Sequence, residues 1–301
     1  MREIQPSIYT DLALEARELA TAGTGELPGV SSETLRSGPL QITRLCIRTA
    51  EGAQAMQRSP GAYTTVELPE ELSEGDDLYA EAVEAIADLI RTLLPSDCAP
   101  VLVAGLGNEL VTPDAFGPVV ARQVLVTRHL VEGGYAQFPE LFRPVAAMCP
   151  GVLGQTGVES AEMILGVVKT VRPCAVIAVD ALAARRLDRL GRTLQITDTG
   201  ILPGGGIGNH RQEITEHTMG VPVIGIGTPT VISAATLIND VLEEALPQPS
   251  CRLPLGRYAE LYVAPKEIDE QNRRVGRLLG YAINIALQKD LTIEDVRYYG
   301  Q

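Results

Sequence analysis

PVLVAG, at residues 100–105, is the stretch that decides the fold, because it is a short apolar run that ends in glycine. Similar runs rich in Val, Ile and Ala recur at 144–148, 175–179 and 221–226, and stretches of helical periodicity lie between them. Short buried strands that alternate with amphipathic helices are typical of βα units on a parallel sheet. We therefore predict an α/β fold with a mostly parallel sheet flanked by helices.

The chain on either side of these runs completes the outline. The spacing of apolar residues predicts helices over 76–94, 114–126, 159–170, 231–245 and 267–288, and a further strand over 258–263. Residues 20–40 are rich in Gly, Ser, Thr and Pro, whereas 40–48 and 62–68 show the β-branched alternation of a hairpin or sheet edge. We predict a single α/β domain over 12–301, with a β-rich N-terminal extension over about 12–75.

Composition excludes several functional classes. The 301 residues include 25 Lys and Arg against 38 Asp and Glu, which gives a formal net charge of −13. This charge opposes binding to phosphates, so we predict no direct nucleic-acid partner. The apolar runs are far shorter than the eighteen or so residues that a membrane span needs, and the N-terminus lacks the pattern of a signal peptide. The sequence therefore predicts a cytoplasmic protein without membrane contact.

Ligands of open parallel sheets bind beyond the carboxyl ends of the strands, so polar residues that follow the apolar runs are the candidates. The loop 105–117 (GLGNELVTPDAFG) carries Gly107, Asn108 and Asp114, and Asp180 directly follows the run at 175–179. A third loop, 198–210 (DTGILPGGGIGNH), is dense in glycine, so its backbone can approach another chain closely. These three loops define the candidate site.

Other chemistries fit the sequence less well. The loop at 105–110 lacks the third glycine of a dinucleotide fingerprint, and neither glycine-rich loop ends in Gly-Lys-Ser/Thr. There is no Gly-x-Ser-x-Gly elbow, and no cysteine lies in a recognisable nucleophile motif. The three histidines, His129, His210 and His217, form no His-Glu-x-x-His pair. We therefore predict no cofactor and no standard zinc site, and His210 remains a candidate single ligand or proton carrier.

Two aspartates at neighbouring strand ends can face each other across a cleft. Like charges at close range cannot both ionise, so the pKa of one carboxyl rises and the pair shares a proton. One carboxyl then acts as the acid while the other activates water. We predict this acid-base hydrolysis for Asp114 and Asp180. A non-catalytic protein that holds an extended peptide in the same cleft is the alternative from another class.

Five further stretches form a recognisable set: YTDLALEA at 9–16, GLGN at 105–108 with VTPDA at 111–115, AVDALAAR at 178–185, QITDTGI at 195–201 and GIGTPT at 225–230. Together they resemble the germination protease family of spore-forming bacteria, whose members degrade small acid-soluble spore proteins. They span nearly the whole chain in order. The spacer after Glu216 is short for the family, which affects none of the proposed catalytic residues.

The resemblance implies an atypical aspartic endopeptidase whose catalytic carboxylates match Asp114 and Asp180. It also implies a homotetrameric zymogen of the forespore or spore core that cuts itself between Asp11 and Leu12, which makes residues 1–11 a propeptide. Periodicity alone favours an ordinary helix over 11–20 with Thr10 as its cap, so the two interpretations of this segment stand side by side. Candidate groove or supporting residues are Gly107, Asn108, Asp198, Gly204, Gly205 and His210.

The family's fold is similar to that of hydrogenase maturation proteases. In those proteins, carboxylates at these two loop positions and a histidine bind the nickel of the client protein. A nickel-dependent endopeptidase of that type, with His210 completing the site, is therefore the nearest alternative to the germination protease interpretation.

Overall fold

The computed structural model describes residues 10–21, 26–70, 72–95, 100–134, 142–204, 211–245, 258 and 260–299. The strands are β1 (Val30–Ser37), β2 (Leu40–Ile47), β3 (Gly61–Glu67), β4 (Val101–Leu106), β5 (Val145–Gly151), β6 (Ala175–Ala184), β7 (Thr193–Thr197), β8 (Val223–Ser233) and β9 (Tyr262–Val263). The helices are α1 (Ala13–Ala20), α2 (Ala50–Met56), α3 (Asp77–Leu93), α4 (Phe116–Ala121), α5 (Arg128–Glu132), α6 (Leu153–Thr156), α7 (Ser160–Val171), α8 (Glu216–Met219), α9 (Ala234–Ala245), α10 (Ile268–Leu287) and α11 (Ile293–Tyr299). The structure also describes two 3-10 turns, at Thr112–Asp114 and Leu187–Arg189.

All nine strands belong to one sheet, in the order β1-β2-β3-β7-β8-β6-β4-β5, and β9 pairs with β8. The pairs β8-β6, β6-β4 and β4-β5 are parallel, whereas the strands from β1 to β8 through β7 pair antiparallel. The sheet therefore has a parallel half and an antiparallel half, and β8 is the strand where they meet.

Helices cover both faces of the sheet. On one face, α3, α4 and α10 pack against a large buried cluster that includes Val103, Ile177 and Ile226. On the other face, α7 and α8 pack over the parallel half, while α1 and α2 pack over Leu45 and Tyr63 of the antiparallel half. Alternate residues of one strand face opposite sides, so the apolar runs on the central strands are buried on both faces.

The predicted α/β fold with a β-rich N-terminal extension is confirmed, and the structure shows that the extension continues the same sheet. Helices at 76–94, 159–170 and 267–288 are found within two residues of their predicted ends. The division into a propeptide and a 12–301 domain stays a prediction. Within the described part of the chain, no helix combines the length and the apolarity that crossing a bilayer requires.

Three local predictions are wrong. The strand at 175–179 does not stop at Asp180 but continues to Ala184, because residues 181–184 are also small and apolar. The predicted helix 114–126 is a 3-10 turn followed by the shorter α4, since Pro118 lies within it. The predicted strand at 258–263 is reduced to Tyr262–Val263.

Candidate active site

The close packing of α4 on the sheet positions the first site loop. A Cβ atom on Gly117 would lie 2.3 Å from the carbonyl oxygen of Leu106 and 2.4 Å from that of Val179, so only glycine allows this approach. The start of α4 therefore rests directly on the end of β4 and on the middle of β6. This contact brings Asp114, three residues earlier, over the strand that carries Asp180.

The loop between β4 and α4 holds the Asp114 side chain in a fixed place. The Asn108 backbone N–H donates to Asp114 Oδ2 at 2.7 Å. Gly107 has a φ of 111°, and a Cβ atom there would lie 2.0 Å from the Asp114 carbonyl oxygen. From the other side, the Asn272 side chain on α10 donates to the Thr112 carbonyl at 2.7 Å. Asp114 is thus held by its own loop and by the longest described helix.

Asp180 lies within β6 and is 5% exposed. Among the residues that the structure describes, its Oδ1 accepts one hydrogen bond, from the Ala181 backbone N–H at 2.9 Å. In the sheet, Asp180 stands opposite Gly227 of β8. A buried carboxylate with a single N–H donor is poorly stabilised in its charged form.

Asp114 and Asp180 line one cavity of about 360 Å³, together with Asp11 and Arg211. Burial is the main reason that the pKa of Asp180 lies well above its usual range, and the charges of Asp114 and then Asp11 raise it further. Burial also raises the pKa of Asp114, against the Asn108 N–H and the Arg211 charge, which lower it. Burial therefore disfavours the charged form of both carboxyls, and the like charge of Asp114 adds to this effect at Asp180.

The N-terminal segment lies across this end of β6. The Asp11 backbone N–H donates to the Ala183 carbonyl at 2.8 Å, and the Ala183 N–H donates to Asp11 Oδ2 at 2.8 Å. Arg58 donates to the Thr10 carbonyl. Gln195 on β7 donates to the Asp11 carbonyl oxygen at 3.0 Å and accepts from the Ala13 N–H at 2.6 Å. The bond between Asp11 and Leu12 is thus held on both sides.

Leu12 itself is fully buried. Its side chain packs into an apolar cluster made by Leu182, Ala184, Leu190 and Ile232. Helix α1 begins at Ala13, not at Asp11, and the Leu12 backbone is extended. A residue in this conformation, with its side chain in an apolar pocket, is bound in the manner of an extended peptide.

Glu15 is a second buried carboxylate, fully shielded from solvent, and it anchors the N-terminal segment. It accepts from the backbone N–H groups of Arg185 at 2.6 Å and Arg186 at 2.9 Å, and from the Thr10 hydroxyl. The Arg189 guanidinium lies 3.2 Å from Glu15 Oε1. These donors satisfy the charge in place of water.

A shift in register places Thr230 at the same cavity. Leu182 stands opposite Pro229, while Ala183 stands opposite Val231, so Thr230 is the extra residue of a bulge in β8. Bulges re-aim side chains next to functional sites. Thr230 lines the cavity with Asp114 and Asp180, is 1% exposed, and its hydroxyl has no hydrogen-bond partner among the described residues. The hydroxyl is free to bind a water or a polar ligand atom there.

The structure brings together most of the predicted site residues that it describes. Asp11, Gly107, Asp114, Asp180 and Gly204 line the shared cavity. Leu12 directly follows Asp11 in the chain. The Asn108 backbone N–H donates to the Asp114 carboxylate.

Asp198 lies apart, where it accepts from the Ala62 N–H at 2.8 Å and ties the end of β7 to β3. Gly205 and His210 lie outside the described residues, so the nickel alternative, which needs His210, stays a prediction. Within the described ranges, no three or more His, Cys, Asp or Glu side chains form a group that could hold a metal ion.

Four residues that shape the site were not predicted from the sequence, namely Glu15, Gln195, Arg211 and Thr230. Three of them lie inside motifs that carry the family resemblance, but none of the three is an aspartate at the end of an apolar run. The sequence signal for Gln195 is a polar residue between the apolar Leu194 and Ile196, in a strand whose residues are all buried. Arg211 follows the glycine-rich loop directly, and its charge was the only signal.

A sequence profile of the germination protease family matches residues 10–248 of this chain. The germination protease of Clostridium tetani is 39% identical over 323 residues, which cover 97% of this chain and 99% of that protein. That of Caldanaerobacter subterraneus is 42% identical over 97% of its own length and 96% of this chain. That of Priestia megaterium is 39% identical, over 97% of this chain and 77% of its own.

Among solved structures, the chain is similar to the [NiFe] hydrogenase maturation protease HycI from Thermococcus kodakarensis. The sequence identity is 19% and the TM-score is 0.36, and the match covers 65% of this chain and 98% of that one.

Proposed function

Because this chain belongs to the germination protease family, we propose that it is an aspartic endopeptidase that uses Asp114 and Asp180 to hydrolyse small acid-soluble spore proteins. In this proposal the protein is made as a zymogen, cuts itself between Asp11 and Leu12, and acts as a homotetramer in the spore core. One observation carries the mechanism, namely that Asp114 and Asp180 line a single cavity with Asp11, beside the bond that is cut.

The two carboxyls have different roles. Asp180 holds the shared proton, because its burial and its like-charged neighbours disfavour the ionised form most strongly. Asp114 is the ionised partner, supported by the Asn108 N–H and by the charge of Arg211. Asp114 therefore acts as the base and Asp180 as the acid.

Hydrolysis then follows in balanced steps. Asp114 takes a proton from a water, whose oxygen bonds to the Asp11 carbonyl carbon. The proton of Asp180 passes to the Leu12 nitrogen, and the carbon–nitrogen bond breaks. The products are a carboxyl at Asp11 and an amine at Leu12, and the two aspartates end with exchanged protonation states. Proton exchange with water restores the starting state.

The docked N-terminal segment supports the self-processing step. Asp11 pairs with Ala183 as an added strand does, and Leu12 fills an apolar pocket. A spore-protein substrate with an acidic residue before a bulky apolar one fits the same contacts. In this proposal the propeptide occupies the groove first and leaves it to substrate after the cut.

The test compares Asp114→Asn and Asp180→Asn with the unchanged chain, by mass spectrometry of the N-terminus and of fragments from a small acid-soluble spore protein. We expect each variant to lose at least about 10³-fold in cleavage rate, since the carboxyl that transfers the proton is gone. Asp88→Asn, an exposed aspartate bonded to Arg91 on α3, is the matched control and should cleave normally.

Three outcomes would count against the proposal. Full activity in both variants refutes the assignment of the two aspartates. Peptide binding without any fragments favours the non-catalytic alternative. Cleavage that requires added nickel and is lost with a chelator favours the maturation-type alternative.

A further inference from the structure

The side chain of Gln195 spans the Asp11–Leu12 bond. Its Nε2 lies 3.0 Å from the Asp11 carbonyl oxygen, and its Oε1 lies 2.6 Å from the Ala13 nitrogen. Gln195 is 7% exposed, so these partners replace water around its amide. The Asp11 carbonyl belongs to the peptide bond that the proposed self-cleavage breaks.

The orientation of the Gln195 amide is fixed by its partners. A backbone N–H can only donate, so the group that faces Ala13 must be the amide oxygen. The NH₂ group must then face the Asp11 carbonyl oxygen, which can only accept. The contact with the Asp11 carbonyl is therefore an N–H donor aimed at the oxygen of that bond, and the alternative flip would leave both partners unsatisfied.

Gln195 and Asp180 project from the same face of the sheet. Gln195 stands opposite Gly227 on one side of β8, and Asp180 stands opposite Gly227 on the other. Residues paired in register point the same way, and neighbouring strands are about 4.8 Å apart, which places the two side chains roughly 10 Å apart at their bases. Gly227 between them has no side chain. Asp11 lines both the cavity of the aspartates and a second cavity that Gln195 lines.

We propose that Gln195 is a catalytic residue whose Nε2–H stabilises the oxygen of the bond being cut. As the water oxygen bonds to the Asp11 carbonyl carbon, the π electrons of the carbonyl move to its oxygen, and the Gln195 N–H accommodates that negative charge. The electrons return when the bond to the Leu12 nitrogen breaks. Gln195 itself stays neutral and loses no proton. This inference rests on the proposed function, because it assigns a role in the same hydrolysis.

The expected effect follows from known donors of this kind. Removal of one donor to a developing oxyanion typically lowers the rate 10²- to 10³-fold, because the hydrogen bond from the donor to the oxygen strengthens as negative charge develops there. The bond to Ala13 does not change during the reaction, so it positions the chain without contributing to that factor.

The decisive variant is Gln195→Glu, which has nearly the same shape. Its ionised carboxylate still accepts from the Ala13 N–H but cannot donate to the Asp11 carbonyl, whereas its protonated form does both. We expect self-cleavage of the full chain to be about 10²-fold slower at neutral pH. As the pH falls and the introduced carboxyl takes up a proton, the rate relative to the unchanged chain should recover. Gln195→Ala should stay slow at every pH.

Rates are read by mass spectrometry of the N-terminus, and folding by circular dichroism. Gln41→Ala on β2, whose amide donates to Glu67, is the control for losing a hydrogen-bonded glutamine elsewhere in the same sheet and should cleave at the normal rate. If Gln195→Ala does not fold, the pH profile of Gln195→Glu decides alone.

The inference and the proposed function fail in different ways. If the unchanged chain cleaves, Asp180→Asn does not, and both Gln195 variants cleave at the normal rate, the role of Gln195 is overturned and the aspartates stand. A slow Gln195→Glu with no recovery at low pH also overturns the donor role, because it leaves only positioning. If the unchanged chain releases no product that starts at Leu12, the proposed self-cleavage is overturned, and the role of Gln195 in it is overturned as a consequence.

Discussion

Two buried carboxylates of this chain, Asp180 and Glu15, have nearly the same exposure and opposite surroundings. Asp180 accepts one backbone N–H and has the charges of Asp114 and Asp11 nearby. Glu15 accepts two backbone N–H groups and a hydroxyl and is paired with Arg189. The surroundings of Asp180 disfavour its charged form, whereas those of Glu15 supply donors in place of water. Burial alone therefore does not determine how a carboxylate behaves, because the groups around it differ.

After the loss of either aspartate, the largest expected effect comes from moving Asp114 away from its place beside Asp180. In Gly117→Ala the new methyl group meets two carbonyl oxygens at less than 2.5 Å, so α4 must move away from β4 and β6. We expect cleavage to fall at least about 100-fold and the free energy of unfolding to fall by roughly 2–3 kcal/mol, as for other overpacked cores.

Urea unfolding and a cleavage assay measure both effects. Gly166→Ala on α7 is the control, since a methyl group there meets no atom within 4 Å, and it should be neutral or slightly stabilising. Equal behaviour of the two variants would contradict the close approach at Gly117.

The second prediction removes the charge of Glu15. Glu15→Gln turns an NH₂ group or an uncharged oxygen toward donors that need a carboxylate, so we expect the free energy of unfolding to fall by about 3 kcal/mol. Self-cleavage should slow as well, because Thr10 and Asp11 lose their anchor. Chemical unfolding monitored by circular dichroism gives the first value and mass spectrometry gives the second.

Glu18→Gln provides the comparison, since Glu18 pairs with the same Arg189 at 2.6 Å but is 40% exposed. Exposed ion pairs contribute little, so this variant should change stability by less than about 1 kcal/mol. A loss as large as that of Glu15→Gln would show that the pair with Arg189, and not the buried N–H donors, carries the effect.

The smallest expected effect is a rise in the free energy of unfolding, whereas the variants above lower it. The pKa of Asp180 is higher in the folded chain than in the unfolded one, so the folded chain loses stability as pH rises from about 4, the ordinary aspartate range, through that raised pKa. Asp180→Asn removes this loss. We expect the variant to be inactive but more stable than the unchanged chain at pH 8, on the order of 1 kcal/mol, a usual size for a stabilising substitution.

Unfolding curves at pH 4 and pH 8 test the sign. The difference in stability between the variant and the unchanged chain should shrink toward pH 4, because the Asp180 carboxyl is protonated in the folded chain there and begins to take up its proton in the unfolded chain as well. A variant that is less stable than the unchanged chain at pH 8 would contradict the account of Asp180 as a destabilised charge.

The sequence allowed the two aspartates to be found for a physical reason. Apolar runs show where buried strands lie, and a charge directly after or within such a run is costly enough to be noticed. The same logic placed the end of β6 wrongly, because residues 181–184 are as apolar as those before Asp180. Asp180 lines the cavity that it shares with Asp114 from a position within β6, not from a loop.

The contribution of Glu15 and Gln195 could not be predicted in the same way. In the sequence, Glu15 is one charge on an amphipathic helix, and its burial depends on residues 185–186, which are 170 positions away. Gln195 contacts Asp11 only because β7 lies antiparallel between β3 and β8. Such partners depend on strand order, which local patterns do not encode.

The backbone nitrogen of Leu12 links the intact chain to its cleaved form. It donates to the Thr10 hydroxyl at 3.1 Å, and that hydroxyl in turn donates to Glu15. A cut before Leu12 would detach Thr10 and turn the nitrogen into an ammonium group at neutral pH. Glu15 would then exchange a neutral donor for a cation on the residue that precedes α1. The new amino terminus would thereby acquire a buried counter-ion, an internal electrostatic lock that only the shortened chain can form.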